Sequence, residues 1–143
     1  MTPASMAALH SACFTTPRPW TGDEIASLLA SPHVFALFAP SGFLMGRAVA
    51  GEAELLTLAI DPAARRQGQA RDLVTRFLDV ARARAAEIAF LEVAADNAGA
   101  LALYHACGFG TSGLRRAYYH QPCGAALDAV VMSCPVLPQP AEI

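Results

Sequence analysis

Residues 65–70 read RRQGQA and separate the strand-like run LLTLAIDPAA from the helix-like run RDLVTRFLDVARAR. A turn that opens a helix presents unpaired backbone N–H groups and the positive end of the macrodipole. A phosphate can bind there without any special side chain. Gly68 lets the backbone approach closely, the small Ala70 keeps the first turn clear, and Arg65, Arg66 and Arg71 add positive charge at the rim. The same residues would also serve as a plain polar connector, and the turn alone leaves both readings open. It is neither a G-x-x-x-x-G-K-[ST] loop nor a G-x-G-x-x-G fingerprint.

Two further side chains suit proton transfer. Glu92 sits in the apolar run AFLEVAA, where alternation puts Phe90, Glu92 and Ala94 on one face and Leu91 and Val93 on the other. A carboxylate there is either a strand-end partner for Arg115 or Arg116, or a general base. Tyr104, in ALALYHACGF, stands at helical spacing from Leu101 and Cys107. That spacing suits a core tyrosine; if buried, its hydroxyl needs a partner, which a cofactor sulfur at a helix edge could supply. Cys107 reads as a small core residue, since nothing nearby in sequence lowers its pKa. His33 reads as a strand-start surface residue. His105 and His120 could border a cleft, but the clustered ligands of a metal site are missing from the sequence.

The elements that must position these groups follow from periodicity and punctuation. TPASMAALHSACF has helical spacing, and TTPRPW breaks it. TGDEIASLLAS opens with Thr and two acids, the signature of a capped helix, and Pro32 closes it. HVFALFA and FLMGRAVA flank PSG and predict a hairpin; ELLTLAI predicts a third, buried strand stopped by Asp61-Pro62. From Gln69 to Arg84 an apolar stripe (Ala70, Leu73, Val74, Phe77, Leu78, Ala81) predicts an amphipathic helix, with Asp72 and Arg76 paired on its wet face. EIAFLEV predicts a strand, and NAGALALYHACG a helix capped by Asn97 and ended at Gly108. FGTSGLRRAYYH and LDAVVMS predict two closing antiparallel strands. The order is two helices, three strands, helix, strand, helix, two strands: an α/β fold with a mixed sheet.

The 143 residues suit one domain, here 1–135, followed by a loose tail at 136–143 that carries three prolines. With 55% hydrophobic and 15% charged residues, disorder is excluded. A net charge of −2 gives no global attraction to nucleic acid or an anionic membrane. All ten basic residues are arginine, which reads mainly as compositional bias alongside abundant alanine and glycine. The four cysteines are widely spaced without C-x-x-C, as expected for reduced thiols in a cytoplasm. No signal peptide and no bilayer-length apolar run is visible.

Arg65-x-x-Gly68-x-Ala70, preceded by a strand with Asp-Pro and followed by an amphipathic helix, LEV and ALYHACGF, resembles the R/Q-x-x-G-x-G/A signature of the GNAT N-acetyltransferases. The similarity runs from about Ala12 to Val136. The resemblance implies the GNAT fold, a mostly antiparallel twisted sheet flanked by helices, and acetyl-CoA as co-substrate. Arg65, Arg66, Gln67, Gly68, Gln69, Ala70 and Arg71 would hold its pyrophosphate, Leu58, Ala59 and Ile60 its pantetheine arm, and Asn97 would contact it from the next helix. LEVAADNAGALALYHACGF is similar to the bacterial RimI-type branch, which implies Glu92 as base and Tyr104 as acid. CFTTPRPW and LRRAYY also resemble that branch and imply a peptide groove lined by Tyr118 or Tyr119. The implied acceptor is a protein N-terminus, possibly that of a small-subunit ribosomal protein, in the cytoplasm, with no direct nucleic-acid or membrane partner. Within the family a small amine or lysine is the alternative acceptor; a non-catalytic acyl-CoA-binding module is the alternative outside catalysis. The family's usual first strand has no counterpart before PASMAAL, so either one sheet edge is exposed or the true start lies upstream. Alanine at position 70, where the signature most often has glycine, is accepted in the family.

Overall fold

The computed structural model describes residues 1–14, 18–120, 124 and 126–136. Its elements are α1 (Pro3–Cys13), α2 (Gly22–Leu29), β1 (Val34–Ala39), β2 (Gly42–Val49), β3 (Glu52–Ile60), α3 (Gln69–Ala83), β4 (Ile88–Ala94), α4 (Ala98–Ala106), β5 (Gly110–His120) and β6 (Ala126–Pro135), with one short 3-10 turn at Pro62–Ala64. This is the order read from the sequence. Thr2 and Thr21 each close a capping box, with Ser5 and Glu24 respectively. The guanidinium of Arg18 donates to both oxygens of Glu24, at 2.8 and 2.9 Å, and holds that carboxyl down at about 2 together with the Thr21 amide. Asn97 caps α4 through Ala100 N–H, and Gly108 follows that helix at φ 100°.

The strands form one sheet in the order β1-β2-β3-β4-β6-β5. All pairs are antiparallel except β3 with β4, which the α3 crossover makes parallel. Helix α3 buries Leu73, Val74, Phe77 and Ala81, the predicted stripe, against one face. There they join Leu44, Leu55, Leu91, Phe109 and Met132. Burying Phe77 completely contributes about 2–3 kcal/mol. A second, smaller core on the other face joins Met6 of α1 and Ile25 of α2 to Phe43, Met45 and Ala59.

A β-bulge lies where these cores meet. Met45 pairs with Thr57 and Gly46 with Leu55, so Leu56 is the extra residue on β3. The bulge changes which face each side chain takes. Ala53 and Leu55 belong to the α3 core, Leu56 and Ala59 to the α1/α2 core, and Leu58 and Ile60 return to the α3 side.

β1 is the sheet edge among the described strands. Arg76 of α3 donates to the Phe38 carbonyl at 2.8 Å and blunts that edge, while Arg84, just past α3, donates at 3.3 Å to the His33 carbonyl, which also accepts from Ala48 N–H. At the far end Val136 packs into the α3 core and donates its N–H to Glu87 O. The rest of the expected loose tail, 137–143, lies outside the described residues.

His10 pins α1 to the bulged strand. It is 1% exposed, and its ring stacks on Phe14 and Trp20 with centroids 4.2 and 5.1 Å away. The Trp20 backbone N–H donates to Nδ1, so Nε2 carries the proton and donates to Thr57 Oγ1 at 3.0 Å. Accepting at Nδ1 requires the neutral ring, and burial lowers its pKa from 6.5 to about 4 against the opposing pull of Glu24. Between these values the unfolded chain takes up a proton that the native ring refuses, so native stability falls as pH falls. Urea unfolding is expected to show roughly 3 kcal/mol of acid-side loss from this group between pH 6.5 and 4. His10→Gln is expected to flatten that slope; an unchanged slope would remove His10 as its source.

Candidate active site

β3 and β4 pair only at Glu52 with Ile88, Ala53 with Ala89 and Glu54 with Phe90. Beyond them the strands part. A cavity of about 120 Å³ fills the gap, lined by residues 55–58 on one side and 91–94 on the other. A larger cavity of about 540 Å³ adjoins it, lined by Leu58, Ile60 and the whole 65–71 turn. Asn97, Ala100 and Tyr104 of the α4 segment line both, so a ligand bound in the larger can extend into the smaller. The parted edge of β3 offers main-chain N–H and C=O groups with no strand opposite.

The turn is built for an anion. Arg66 takes φ 65° and Gly68 φ 79°, left-handed conformations between other backbone states, which turn successive N–H groups into a concavity. Gly68 is the N-cap of α3 and no side chain caps that terminus, so its first amides remain available. A Cβ on Gly68 would meet no atom within 4 Å; its conformation, not space, favours glycine there. The Gln69 side chain accepts from Ser41 N–H at 2.9 Å, tying the turn to the β1–β2 hairpin. Arg65 donates from Nε to Ile60 O at 3.4 Å. A diphosphate fits this donor set, which combines helix-terminal amides with Arg66 and Arg71 at the rim.

Glu92 and Tyr104 both line the smaller cavity. Glu92 arrives there because β4 alternates: Leu91 and Val93 enter the α3 core, so Glu92 faces the other way. Its Oε1 is 3.0 Å from Arg115 Nε, the arginine pairing weighed from the sequence. That pair is 55% exposed on the arginine side, so solvent screens it and it adds little stability. The carboxylate is paired through Oε1 and still borders the cavity. Tyr104 is 7% exposed and meets Phe109 edge-on at 6.1 Å. Burial, and secondarily Cys107, pushes its phenol well above the usual value and keeps the proton on it. No described residue hydrogen bonds to that hydroxyl, which suits a group that donates to a ligand. Burial also raises the Cys107 thiol, although Arg71 opposes this, so a thiolate there is disfavoured.

The structure gathers most of the sequence-derived candidates and separates a few. Leu58, Ile60, residues 65–71 and Asn97 line the larger cavity. The Ala59 side chain instead packs in the α1/α2 core. Tyr119 lines the smaller cavity, and its phenol is pushed up to about 12, first by burial and then by Glu92. Tyr118 lines neither cavity; it is exposed, with the Arg115 guanidinium 5.2 Å above its ring. In CFTTPRPW, Phe14 borders both cavities and Trp20 the smaller one, while 15–17 lie outside the described residues. His33 and His105 are exposed; the His120 side chain is outside what is described. Among the described residues no three His, Cys, Asp or Glu gather as metal ligands, and no helix is long and apolar enough to cross a membrane. Sequence reasoning missed His10, whose only signal is its place one helical turn before Phe14. It also missed the parting of β3 from β4, which no residue type announces.

Comparison with known proteins agrees with this geometry. The model of the acetyltransferase (GNAT) family matches residues 5–109. The [ribosomal protein bS18]-alanine N-acetyltransferase of Escherichia coli strain K12 is 34% identical over 122 residues, covering 82% of each chain. The N-alpha-acetyltransferase RimI of Mycobacterium tuberculosis is 38% identical over 122 residues, covering 79% of this chain and 75% of that one. The crystal structure of the ribosomal-protein-S18-alanine N-acetyltransferase from Escherichia coli superposes with a TM-score of 0.80 at 29% identity, over 98% of this chain and 90% of that one. A match spanning both the anion-binding turn and the Glu92–Tyr104 pair places the protein: the chain belongs to the GNAT family of N-acetyltransferases.

Proposed function

We propose that this acetyltransferase acts on the N-terminal α-amine of a protein, with acetyl-CoA as donor, and that its acceptor is a ribosomal protein. The observation that carries the reading is that Glu92 and Tyr104 share one cavity, which opens into the space beside the amide-lined turn. The names of the relatives supply the acceptor class. The turn at 65–71 holds the diphosphate, the parted edge of β3 holds the pantetheine arm, and Asn97 lies where the two cavities meet.

Bound acetyl-CoA supplies an activated acyl group. The remaining steps fall to this chain. Glu92, through a water, takes a proton from the acceptor ammonium. A backbone N–H of β3 stabilises the charge that develops on the carbonyl oxygen. Tyr104, held protonated by burial, donates to the departing sulfur. Deprotonating an α-ammonium at pH 7 costs about 1.4 kcal/mol, against about 4.6 for lysine, which favours an N-terminal acceptor at a site without strong desolvation.

Four measurements test this reading. Glu92→Gln is expected to lower kcat by about 100-fold or more with the Kd for acetyl-CoA unchanged; equal activity would take Glu92 out of the mechanism. Tyr104→Phe should likewise lower kcat, by about tenfold or more, while leaving donor affinity intact. Gly68→Val forces a β-branched residue into the left-handed region and is expected to weaken coenzyme A binding by about tenfold or more in calorimetry; retained affinity would move the diphosphate elsewhere. The acceptor itself is read by mass spectrometry of protein N-termini from cells with and without the gene. One ribosomal N-terminus losing its acetyl group supports the assignment. No changed N-terminus redirects it to small amines.

A further inference from the structure

Strand β5 departs from regular pairing beside the smaller cavity. Arg115 pairs with Ala129 and Tyr119 with Leu127, so Arg116, Ala117 and Tyr118 together oppose the single residue Asp128. The resulting arch is a bulge three residues wide. Its crown, Ala117, takes φ 52°, a left-handed conformation that an alanine rarely adopts unless its surroundings impose it. One bond imposes it here: Ala117 N–H donates to Asp128 Oδ1 at 2.8 Å. The backbone of the same residue extends the neighbouring ladder, with Ala95 N–H donating to Asp128 O at 2.9 Å just past the end of β4. Asp128 thus ties the arch to the strand that carries Glu92.

The two residues that flank the arch, Arg115 and Tyr119, reach the reaction site. Arg115 at its base reaches Glu92 at 3.0 Å and lies 5.2 Å over the Tyr118 ring. Tyr118 meets Tyr119 edge-on at 5.1 Å, and Tyr119 lines the cavity that Glu92 and Tyr104 share. Flattening the arch to normal register would swing these side chains relative to β4, since each single-residue slip reverses a strand's faces.

We propose that Asp128 is a positioning residue: its carboxylate holds the Arg115–Tyr119 arch of β5 so that Arg115 fixes the Glu92 carboxylate and Tyr119 walls the acceptor side of the cavity. This rests on the reading of Glu92 and the smaller cavity as the acceptor site. Asp128 touches no reactant, and the larger cavity is built from other elements, so its effect falls on the acceptor and not on the donor.

The test compares Asp128→Ala with Asp128→Asn, which keeps an oxygen to accept from Ala117. With an alanine-initiated peptide as acceptor, Asp128→Ala is expected to raise the acceptor KM by about tenfold or more while the KM for acetyl-CoA changes less than about twofold. Asp128→Asn is expected to recover most of the loss. An unchanged acceptor KM, an equal rise in both KM values, or an asparagine variant as impaired as alanine would each overturn the proposal. A readout independent of turnover is the Arg115 Nε–H resonance in NMR spectra. It should shift to a solvent-like position in Asp128→Ala and remain in place in Asp128→Asn. If the wild-type protein acetylates no peptide while this resonance behaves as expected, the acceptor reading fails and the arch does not. If the resonance is unmoved in Asp128→Ala, the positioning role fails whatever the activity.

Discussion

The parting of β3 from β4 after three residue pairs is the constraint on which the rest depends. A sheet that stayed paired would bury the inner edges of both strands in hydrogen bonds and leave no gap at its centre. Here the α3 crossover sets the two strands parallel, and the Leu56 bulge redirects β3 as it runs toward Ile60. The strands can then diverge because other contacts secure each of them. β2 pairs with β3 to its end, and β6 pairs with β4 to Ala94. The gap is therefore a stable wedge lined by main-chain groups, with a carboxylate on one wall.

Each site component reaches the wedge through a separate local cause. The turn at 65–71 lies where β3 ends and α3 begins, so the wedge opens beside the unpaired amides of that helix. Asn97 caps α4, which places Tyr104 two turns further along the helix and beside both cavities. The α1–α2 segment closes the other side, held by His10 between Trp20 and Thr57 and by the Arg18–Glu24 pair. The electrostatics are consistent with this division. Burial keeps the Tyr104 phenol protonated, and the Tyr119 phenol is raised in turn by burial and by the charge of Glu92.

Local chemistry made much of this legible in the sequence. The stripe from Ala70 to Ala81, the Thr21 and Asn97 caps, and the Gly108 stop each act within a few residues, so spacing alone revealed them. The turn at 65–70 was legible as a glycine- and arginine-rich opening to α3, but its residues alone left a polar connector and an anion site both open. Features that depend on partners distant in sequence were not legible. His10 meets Thr57 only because α1 lies across β3. The β5 arch depends on Asp128, eleven positions from Ala117 and across a strand pair. Glu92 illustrates both cases. Alternation put it on its own face and the sequence offered Arg115 or Arg116 as its partner, but choosing Arg115 required the register of three strands.

Amide hydrogen exchange with and without coenzyme A tests the wedge most directly. Binding is expected to slow exchange at the amides opening α3, Gly68 to Arg71, and at the parted edge of β3 from Leu56 to Ile60. The paired segment from Glu52 to Glu54 should be unchanged. Protection confined to other elements, or none at saturating coenzyme A, would contradict the account.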